Sequence, residues 1–358
     1  MNGTNPNKRL SDWWPFKKAE LPNSLSQFFQ RSEGKQAAKW LGYLQHYDRH
    51  LGPLKDKPIS LLEIGIQAGG SLKIWANYFQ SSPLIIGCDV DPKCKDLHYT
   101  DERIKVLIGD INSPSTLTAL DSLTNAIDVI VDDGSHQSQD IITSFVNLFP
   151  RLAEGGVYLI EDLHCSYWEN YGGGLHSPTS ALAFFKKIVD VINHSVWGVD
   201  AIPNDFLSEF KESLSAEKGQ DWGFLHGIHS IEFVNSICVI RKCKPEHNML
   251  GKLVLSGRVG PQINSVFGYA MTEMNVPDQS QNIFSQQSTQ ALDAHAKNLI
   301  LHDEIKRLKQ VIFKTQLEAN QLTTQVYEAT KQFYDASVTI QQLEFKIKQL
   351  EQPNEDAV

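Results

Sequence analysis

Short apolar runs alternate with helix-like stretches from the start of the chain to about Pro245. The run Ile59–Ile66 is mostly apolar, as expected of a strand that is buried on both faces of a sheet. Four similar runs follow, in PLIIGCDVD, RIKVLIGDI, AIDVIVDDG and GGVYLIEDLH. Strands that alternate with helices indicate a mostly parallel sheet covered by helices on both faces. The predicted fold class is therefore α/β, with SIEFVNSICVIRK as one strand or a hairpin that closes the sheet.

A different pattern occupies the C-terminal part of the chain, where apolar and small residues are spaced alternately four and three apart. They are Leu301, Ile305, Leu308, Ile312, Thr315, Ala319, Leu322, Val326, Ala329, Phe333, Ala336, Ile340, Leu343, Ile347 and Leu350. A sustained seven-residue repeat predicts a left-handed coiled coil, and at 1.5 Å per residue it would extend about 75 Å. The alternation of β-branched residues and leucine favours a parallel dimer, while Thr315 and the alanines leave a trimer open. The alternative is a long helix that packs on its own domain, although such helices seldom exceed roughly 25 residues.

These patterns divide the chain into four segments. Residues 1–245 are predicted to form the α/β domain, and residues 246–296, rich in Asn, Gln, Ser and Gly, a linker. Residues 297–352 are predicted to form the coiled coil, and residues 353–358 a short tail.

The composition of the chain argues against several classes of protein. The net charge is −9 and the pI about 5.7, and no basic stripe is visible, so we expect no nucleic-acid partner. The five cysteines form no CxxC pair, which argues against a disulfide framework or a zinc site and favours a cytoplasmic protein. No signal peptide and no run of roughly 18 apolar residues is present. A peripheral position on the inner membrane face remains compatible with the sequence.

The loop LLEIGIQAGGS after the first predicted strand contains Glu63, Gly65 and Gly69. Glycines at a strand-to-helix turn allow the backbone to approach a ligand closely. The GxxxG spacing differs from the GxGxxG of dinucleotide folds and fits S-adenosylmethionine (SAM) better than NAD. Asp89 and Asp110 end the next two strands, where the ribose hydroxyls and the adenine would lie. The glycines could instead serve a tight turn that binds no ligand. The acids at the ends of three successive strands, Glu63, Asp89 and Asp110, favour a Rossmann-like sheet that binds SAM.

Further acids occur at the ends of the next two predicted strands. VIVDDGSHQS contains Asp132, Asp133 and His136, and LIEDLH contains Glu161 and Asp162. Ligands bind at the carboxyl ends of strands in open α/β sheets, and acids clustered there repel one another unless a cation neutralises them. Oxygen ligands favour Mg²⁺ or Mn²⁺ over zinc, and the histidine is available as a general base. A rim of solvated acidic loop residues is the alternative.

Together EIGIQAGGSLKIW, VIVDDGSHQS and LIEDLHCSYW resemble the metal-dependent sugar O-methyltransferases. That family includes mycinamicin-type and rhamnosyl O-methyltransferases and is related to cephalosporin-hydroxylase-type proteins. The resemblance covers roughly Leu41 to Lys242 and implies a role for each matched residue. It implies that Mg²⁺ or Mn²⁺ is held by Asp133, Glu161 and Asp162, and that the base is His136. It also implies that SAM is bound by Glu63, Asp89 and Asp110, with Asp132 near its methionyl end.

The function expected from this resemblance is SAM-dependent and Mg²⁺-dependent methylation of a sugar hydroxyl. The coiled coil resembles that of the chain-terminating methyltransferases of bacterial O-antigen polysaccharides. That likeness implies a polysaccharide acceptor methylated at its chain end, and a partner such as a glycosyltransferase or a membrane. One alternative is a tailoring O-methyltransferase of a glycosylated natural product. A second is a SAM-binding coiled-coil scaffold without catalysis, which the intact DDGSH and IED motifs argue against.

Overall fold

The computed structural model describes residues 24–201, 206–211, 222–251, 276–282, 285 and 289–350. The chain divides into two units, Met1–Gln279 and Ser280–Val358. Most of the predicted linker 246–296, and all of the predicted tail 353–358, lie outside the described residues.

A mostly parallel sheet forms the centre of the first unit, as predicted. Its strands are β1 (Ser60–Ile64), β2 (Leu84–Asp89), β3 (Ile104–Ile108), β4 (Ile127–Asp132), β5 (Leu152–Ile160), β6 (Ile228–Val234) and β7 (Ile237–Lys242). The spatial order is β3-β2-β1-β4-β5-β7-β6. The first five strands are parallel, β7 runs antiparallel to β5, and β6 pairs with β7 as a hairpin. The order of the strands reverses between β1 and β4, and this switch point is the place where open α/β sheets bind ligands.

Helices cover both faces of this sheet. They are α1 (Leu25–Arg31), α2 (Leu41–Leu51), α3 (Gly70–Tyr78), α4 (Pro114–Leu123), α5 (Ser138–Leu148), α6 (Ala181–Ile192) and the four-residue α7 (Ser208–Lys211). Serine side chains accept backbone N–H groups at the start of α1, α4 and α6. Such caps satisfy donors that a helix leaves unpaired at its first turn.

The two faces of the sheet bury two separate apolar clusters. Leu62 and Ile64 of β1 pack with α5 and α6, through a group of aromatic rings that includes Phe145 and Phe184. Leu61, which points the opposite way, packs with α2 and α3 around Trp75. This alternation follows from the two-residue period of a strand. It also turns Glu63 toward the face covered by α2 and α3, where its side chain is fully buried.

Left-handed backbone occurs at four non-glycine residues of the described part: Gln67, His136, Asp162 and Ser236. The first three follow the ends of β1, β4 and β5, and Ser236 lies in the β6–β7 turn beside them. Side chains larger than glycine adopt this conformation at a cost, and such positions cluster at functional sites. The strained positions therefore mark the carboxyl edge of the sheet.

The second unit contains one long helix, α8 (Thr289–Leu350), of 62 residues. The helix begins inside the segment expected to be a linker, because QALDAHA is rich in residues that favour helix. Its described seam residues are exposed in the single chain, for example Leu308, Ile312 and Leu322. No helix in the described ranges has the length and apolar character needed to cross a membrane.

Arg103 closes the C-terminal end of α3. Its guanidinium donates to the carbonyls of Ala76, Phe79, Gln80 and Ser82 at 2.9–3.2 Å. Two parallel hydrogen bonds join it to Asp101, and they lower the pKa of that carboxyl. Helix ends leave carbonyls unpaired, and the planar guanidinium fork can satisfy several of them together.

We therefore expect Arg103→Ala to lower the free energy of unfolding by about 1–3 kcal/mol, since several carbonyls lose their donors together. Urea denaturation followed by circular dichroism measures the change. The exposed Lys105 on the neighbouring strand provides the control, and Lys105→Ala should change stability by less than about 0.5 kcal/mol. Equal effects of the two substitutions would contradict the role given to Arg103.

Candidate functional site

Two adjoining cavities open at the carboxyl edge of the parallel strands. The first, of about 370 Å³, is lined by residues that follow β1, β2, β3 and β4, including Asp89, Asp110 and Asp132. The second, of about 500 Å³, is lined by residues 36–40 and by Glu63, His136, Glu161 and Asp162. Gly65, Gln67 and Asp133 line both cavities, so the two form a continuous cleft. All the predicted site residues except Gly69 line this cleft.

The loop between β1 and α3 brings the backbone close to the end of β4. Gly65 has a φ of +81°, and a Cβ at this position would lie 2.0 Å from the carbonyl oxygen of Asp133. No other residue fits there without moving the backbone. Gly69, which precedes α3, has a φ of +76° and sits under the Tyr99 hydroxyl. The two glycines predicted from the GxxxG spacing are thus required by close packing and by backbone conformation.

Asp89 has a structural role in addition to facing the first cavity. Its Oδ2 accepts the backbone N–H groups of Ile66 and Gln67, both at 2.9 Å, and its Oδ1 accepts that of Asp91 at 2.9 Å. Each carboxylate oxygen has two lone pairs, so Oδ1 retains one for a ligand. Asp89 therefore fixes the glycine loop while it keeps acceptor capacity toward the cavity. Asp110 similarly accepts Asn112 N–H at 2.9 Å with Oδ1.

Two further predicted cofactor residues, Glu63 and Asp132, are buried acids at the centre of the cleft. Burial raises the pKa of Glu63, although Lys39 and Ser71 favour its ionised form. Burial likewise raises the pKa of Asp132 to about 7, against a hydrogen bond from Tyr158 at 3.2 Å. Both carboxylates are held by packing, and both are placed to meet a polar group that enters the cleft.

Three residues of the predicted chemical site come together at the rim of the second cavity. One ligand atom from each of Asp133, His136 and Asp162 lies within 4.8 Å of the others. His136 Nε2 is 3.8 Å from Asp133 Oδ1 and 3.5 Å from Asp162 Oδ2. Carboxylate oxygens are the preferred ligands of Mg²⁺ and Mn²⁺, so the donor atoms of this cluster fit a hard divalent ion.

Glu161, the third predicted metal ligand, lies outside the cluster of Asp133, His136 and Asp162 and contacts Lys39. Its Oε1 is 2.6 Å from Lys39 Nζ and accepts a hydrogen bond from the Tyr47 hydroxyl. The Lys39 ammonium also lies 2.7 Å from Asp133 Oδ2 and 3.1 Å from Glu63 Oε1. Burial alone would lower the pKa of Lys39, but the carboxylates of Glu161, Glu63 and Asp133 raise it well above the ordinary lysine value. Burial raises the pKa of Glu161 to about 8, even though Lys39 favours its ionised form.

Lys39, Tyr43 and Tyr47 contact the acids of the site and were not among the residues predicted from the sequence. The Tyr43 hydroxyl lies 2.8 Å from Asp162 Oδ1 and 2.8 Å from Ser236 Oγ, so it joins the acids to the β6–β7 turn. Tyr43 and Tyr47 are spaced four apart and lie on one side of α2, whereas Lys39 precedes that helix in a segment that is neither helix nor strand. The spacing of the two tyrosines was the available signal.

Exposed aromatic rings border the cleft beside Asp162. The Trp40 indole donates its N–H to Asp162 Oδ1 at 2.9 Å. The His164 ring packs edge-to-face against both Trp40 and Trp168. Trp40, Tyr167 and Trp168 are all exposed. Exposed rings that adjoin a polar pocket are typical of surfaces that contact a ligand.

Comparison with known proteins identifies the class of the first unit. Residues 62–163 match the family described as a methyltransferase domain. The chain therefore contains a methyltransferase domain, and the matched residues span the strands from β1 to β5 and the site residues from Glu63 to Asp162.

The chain is also similar to particular sugar O-methyltransferases. It is 34% identical over 175 residues to 8-demethyl-8-alpha-L-rhamnosyl tetracenomycin-C 2'-O-methyltransferase of Streptomyces olivaceus, covering 46% of this chain and 45% of the relative. It is 37% identical over 162 residues to demethylmacrocin O-methyltransferase of Streptomyces fradiae, covering 42% and 40%. The chain thus spans less than half the length of these relatives.

Among solved structures, the chain resembles the MycE methyltransferase from the mycinamycin biosynthetic pathway in complex with Mg and SAH. The TM-score is 0.50 and the sequence identity 25%, and the match covers 62% of this chain and 55% of that one. This similarity agrees with the predicted methyltransferase fold.

Proposed function

We propose that the protein is a SAM-dependent and Mg²⁺-dependent O-methyltransferase that acts on a sugar hydroxyl of a glycosylated small molecule. The observation that carries the proposal is the continuous cleft, in which cofactor-type acids adjoin Asp133, His136 and Asp162. By its name, the relative from Streptomyces olivaceus methylates a rhamnosyl compound and the relative from Streptomyces fradiae is an O-methyltransferase, and MycE was solved with Mg and SAH. These similarities favour a tailoring enzyme over the polysaccharide chain-end enzyme expected from the coiled coil.

The first cavity is the proposed cofactor site. Asp89 would accept from the ribose hydroxyls with its remaining lone pair, and Asp110 would lie beside the adenine. Gly65 permits the ligand and the chain to approach closely, and Gly69 holds the loop at the start of α3. Glu63 and Asp132, buried where the two cavities meet, would face the methionyl end.

The second cavity is the proposed site of chemistry. When bound, SAM would supply the methyl group and leave as S-adenosylhomocysteine, and a divalent ion held by Asp133, Glu161 and Asp162 would lower the pKa of the acceptor hydroxyl. His136 takes the hydroxyl proton on Nε2, the nitrogen that faces Asp133 and Asp162. Those two carboxylates orient the imidazole. The cleft aligns the acceptor oxygen with the cofactor, and this alignment contributes much of the rate.

The aromatic rim is the proposed contact for the acceptor. Trp40 donates to Asp162, and Trp168 packs against His164; both rings are exposed, and the apolar face of a sugar ring or of its aglycone could pack on them. This placement would hold a sugar hydroxyl toward His136 while the rest of the acceptor remains outside the cleft.

A second candidate acceptor is the end of a polysaccharide chain, and the 62-residue helix α8 favours it. A long helix can separate a catalytic domain from a partner glycosyltransferase or from a membrane. The two candidates differ in one measurable respect. Removal of α8 should leave methylation of a small glycoside intact in both cases, but it should change polymer length in cells only if the acceptor is a polysaccharide.

The cofactor assignment predicts that Asp89→Asn weakens SAH binding by about 1–3 kcal/mol, because an amide NH₂ group replaces an acceptor oxygen. Isothermal titration calorimetry measures the affinity. Asp91→Ala is the matched control, since Asp91 lies on the same loop and accepts Lys93 N–H, but does not line the cavity. Unchanged affinity in Asp89→Asn would refute the ribose assignment.

The proposed chemistry predicts that methyl transfer to a panel of rhamnosides and other deoxysugar glycosides stops in EDTA and returns with Mg²⁺. His136→Ala should lower turnover by about 10²–10⁴-fold, the usual effect of removing a general base, while SAH affinity stays unchanged. Thr143→Ala is the control and should retain activity, since Thr143 is half-buried on α5 and lines neither cavity. If SAM binds but no acceptor consumes it, the chain is better described as a scaffold. Full activity in chelator would exclude the metal role.

We propose that α8 pairs with a second copy of this chain as a parallel dimer, or less favourably as a trimer. Its seam residues keep the seven-residue repeat along the helix and are about half exposed, for example Leu308 at 46% and Ile312 at 56%. A single helix in water gains little from such a stripe, whereas a second copy would bury it.

The repeat predicts that light scattering of the full chain gives the mass of a dimer. Leu308→Glu combined with Leu322→Glu should convert it to a monomer, because charges would enter the buried seam. Thr324→Glu changes the opposite side of the helix and should leave the dimer intact. A full chain that is monomeric would remove the coiled-coil proposal.

A further inference from the structure

The Lys39 side chain is 2% exposed and lies among three carboxylates in the second cavity. Lysine is among the residues least often buried in proteins, and it is buried chiefly where acids neutralise it. An ammonium group has three protons, and three carboxylate oxygens, from Glu161, Asp133 and Glu63, lie within 2.6–3.1 Å of Lys39 Nζ. The ammonium therefore donates hydrogen bonds to Asp133 and Glu161 and lies at ion-pair distance from Glu63.

Two of those oxygens belong to residues that would also hold the divalent ion under the proposed function. Asp133 Oδ2 and Glu161 Oε1 both face Lys39 Nζ, at 2.7 Å and 2.6 Å. Magnesium binds carboxylate oxygens at about 2.0–2.1 Å, so an ion between these oxygens would take the space of the ammonium. Two cations a few ångströms apart in a partly dry cleft also repel strongly. The ion and the ammonium thus compete for one position.

Lys39 lies on a connecting segment and not within a helix or a strand. Residues 32–40, here called the strap, join α1 to α2 and form no helix or strand. The strap lies against α3, where Gly70 N–H donates to Gln36 O at 3.1 Å and a Cβ on Gly70 would lie 2.3 Å from Lys35 O. The Lys39 side chain enters the cleft beneath it, and Trp40 binds Asp162 at its end. The lysine stem has four rotatable bonds, so the ammonium can leave without unfolding α2.

We propose that Lys39 is an internal cation that a divalent ion displaces, so that metal binding releases the Lys39 side chain from the cleft. This inference rests on the proposed function, because it takes Asp133 and Glu161 as metal ligands. It assigns Lys39 a positioning role: the ammonium keeps the two acids folded inward until the ion replaces it. The strap residues beside Lys39 then respond to metal as well as to the acceptor.

Amine labelling of the wild-type chain tests displacement without an activity assay. Acetylation by an N-hydroxysuccinimide ester, quantified by mass spectrometry, should be at least about tenfold slower at Lys39 than at Lys35, because Lys39 is buried and charged. Saturating MgCl₂ should bring the Lys39 rate close to that of Lys35, which lies in the same strap and serves as the internal control. Persistent protection of Lys39 under conditions where calorimetry shows bound Mg²⁺ would overturn the proposal.

Calorimetry with MgCl₂ alone gives the second readout. Lys39→Met should bind Mg²⁺ about tenfold more tightly than the wild type, since no ammonium has to leave, and Lys35→Met should bind as the wild type does. If Lys39→Met binds Mg²⁺ as tightly as the wild type or more weakly, the ammonium and the ion do not compete. If neither chain binds Mg²⁺, the metal assignment itself fails. If the wild type and Lys39→Met both bind Mg²⁺ and Lys39 stays protected from acetylation, the metal site stands and only the displacement of Lys39 is refuted. Should Lys39→Met not fold, the labelling of the wild type still decides the question.

Discussion

The ion pairs of Lys39 are the interaction on which the rest of the cleft depends. Glu63 and Glu161 are buried acids, and burying an ionised carboxylate without a partner is costly. The ammonium at 2.6–3.1 Å from these two and from Asp133 allows three carboxylates to converge in one place. Tyr47 supports the same arrangement by donating to Glu161. The cleft therefore holds a cluster of acids that would otherwise repel one another, and a cluster of this kind suits chemistry that uses a divalent cation.

The fold and most of the candidate site could be predicted from sequence because both depend on local patterns. Apolar runs such as Leu61–Ile64 mark buried strands, and parallel strands bring their carboxyl ends to one edge. Residues that directly follow a strand, such as Asp89, Asp133 and Asp162, were therefore predictable as neighbours. The structure brings Asp133, His136 and Asp162 together, as the motif spacing suggested. The metal, base and cofactor roles of these residues remain predictions.

Other features could not be predicted, because they depend on contacts between distant parts of the chain. Lys39 meets Asp133 and Glu161 across 94 and 122 residues of sequence, and nothing local separates it from the exposed Lys35. The seven-residue repeat also did not predict where α8 begins. Residues that favour helix extend it back to Thr289, ahead of the first seam residue. Asp89 was expected at the ribose, but its hydrogen bonds to Ile66 and Gln67 depend on the fold of the glycine loop.

The β6–β7 hairpin has a consequence for how the protein matures. Its turn residue Ser236 bonds to Tyr43 across 193 residues and to the backbone N–H of His164, so the last strands of the sheet hold the acids that follow β5. A nascent chain that has not yet emerged beyond Lys242 lacks this support. The cleft therefore assembles late in synthesis, when the two ends of the domain meet, and contacts of such long range form slowly. A chain truncated before the hairpin would keep the bond between Tyr43 and Asp162 but would lose the Ser236 groups that tie Tyr43 to the sheet.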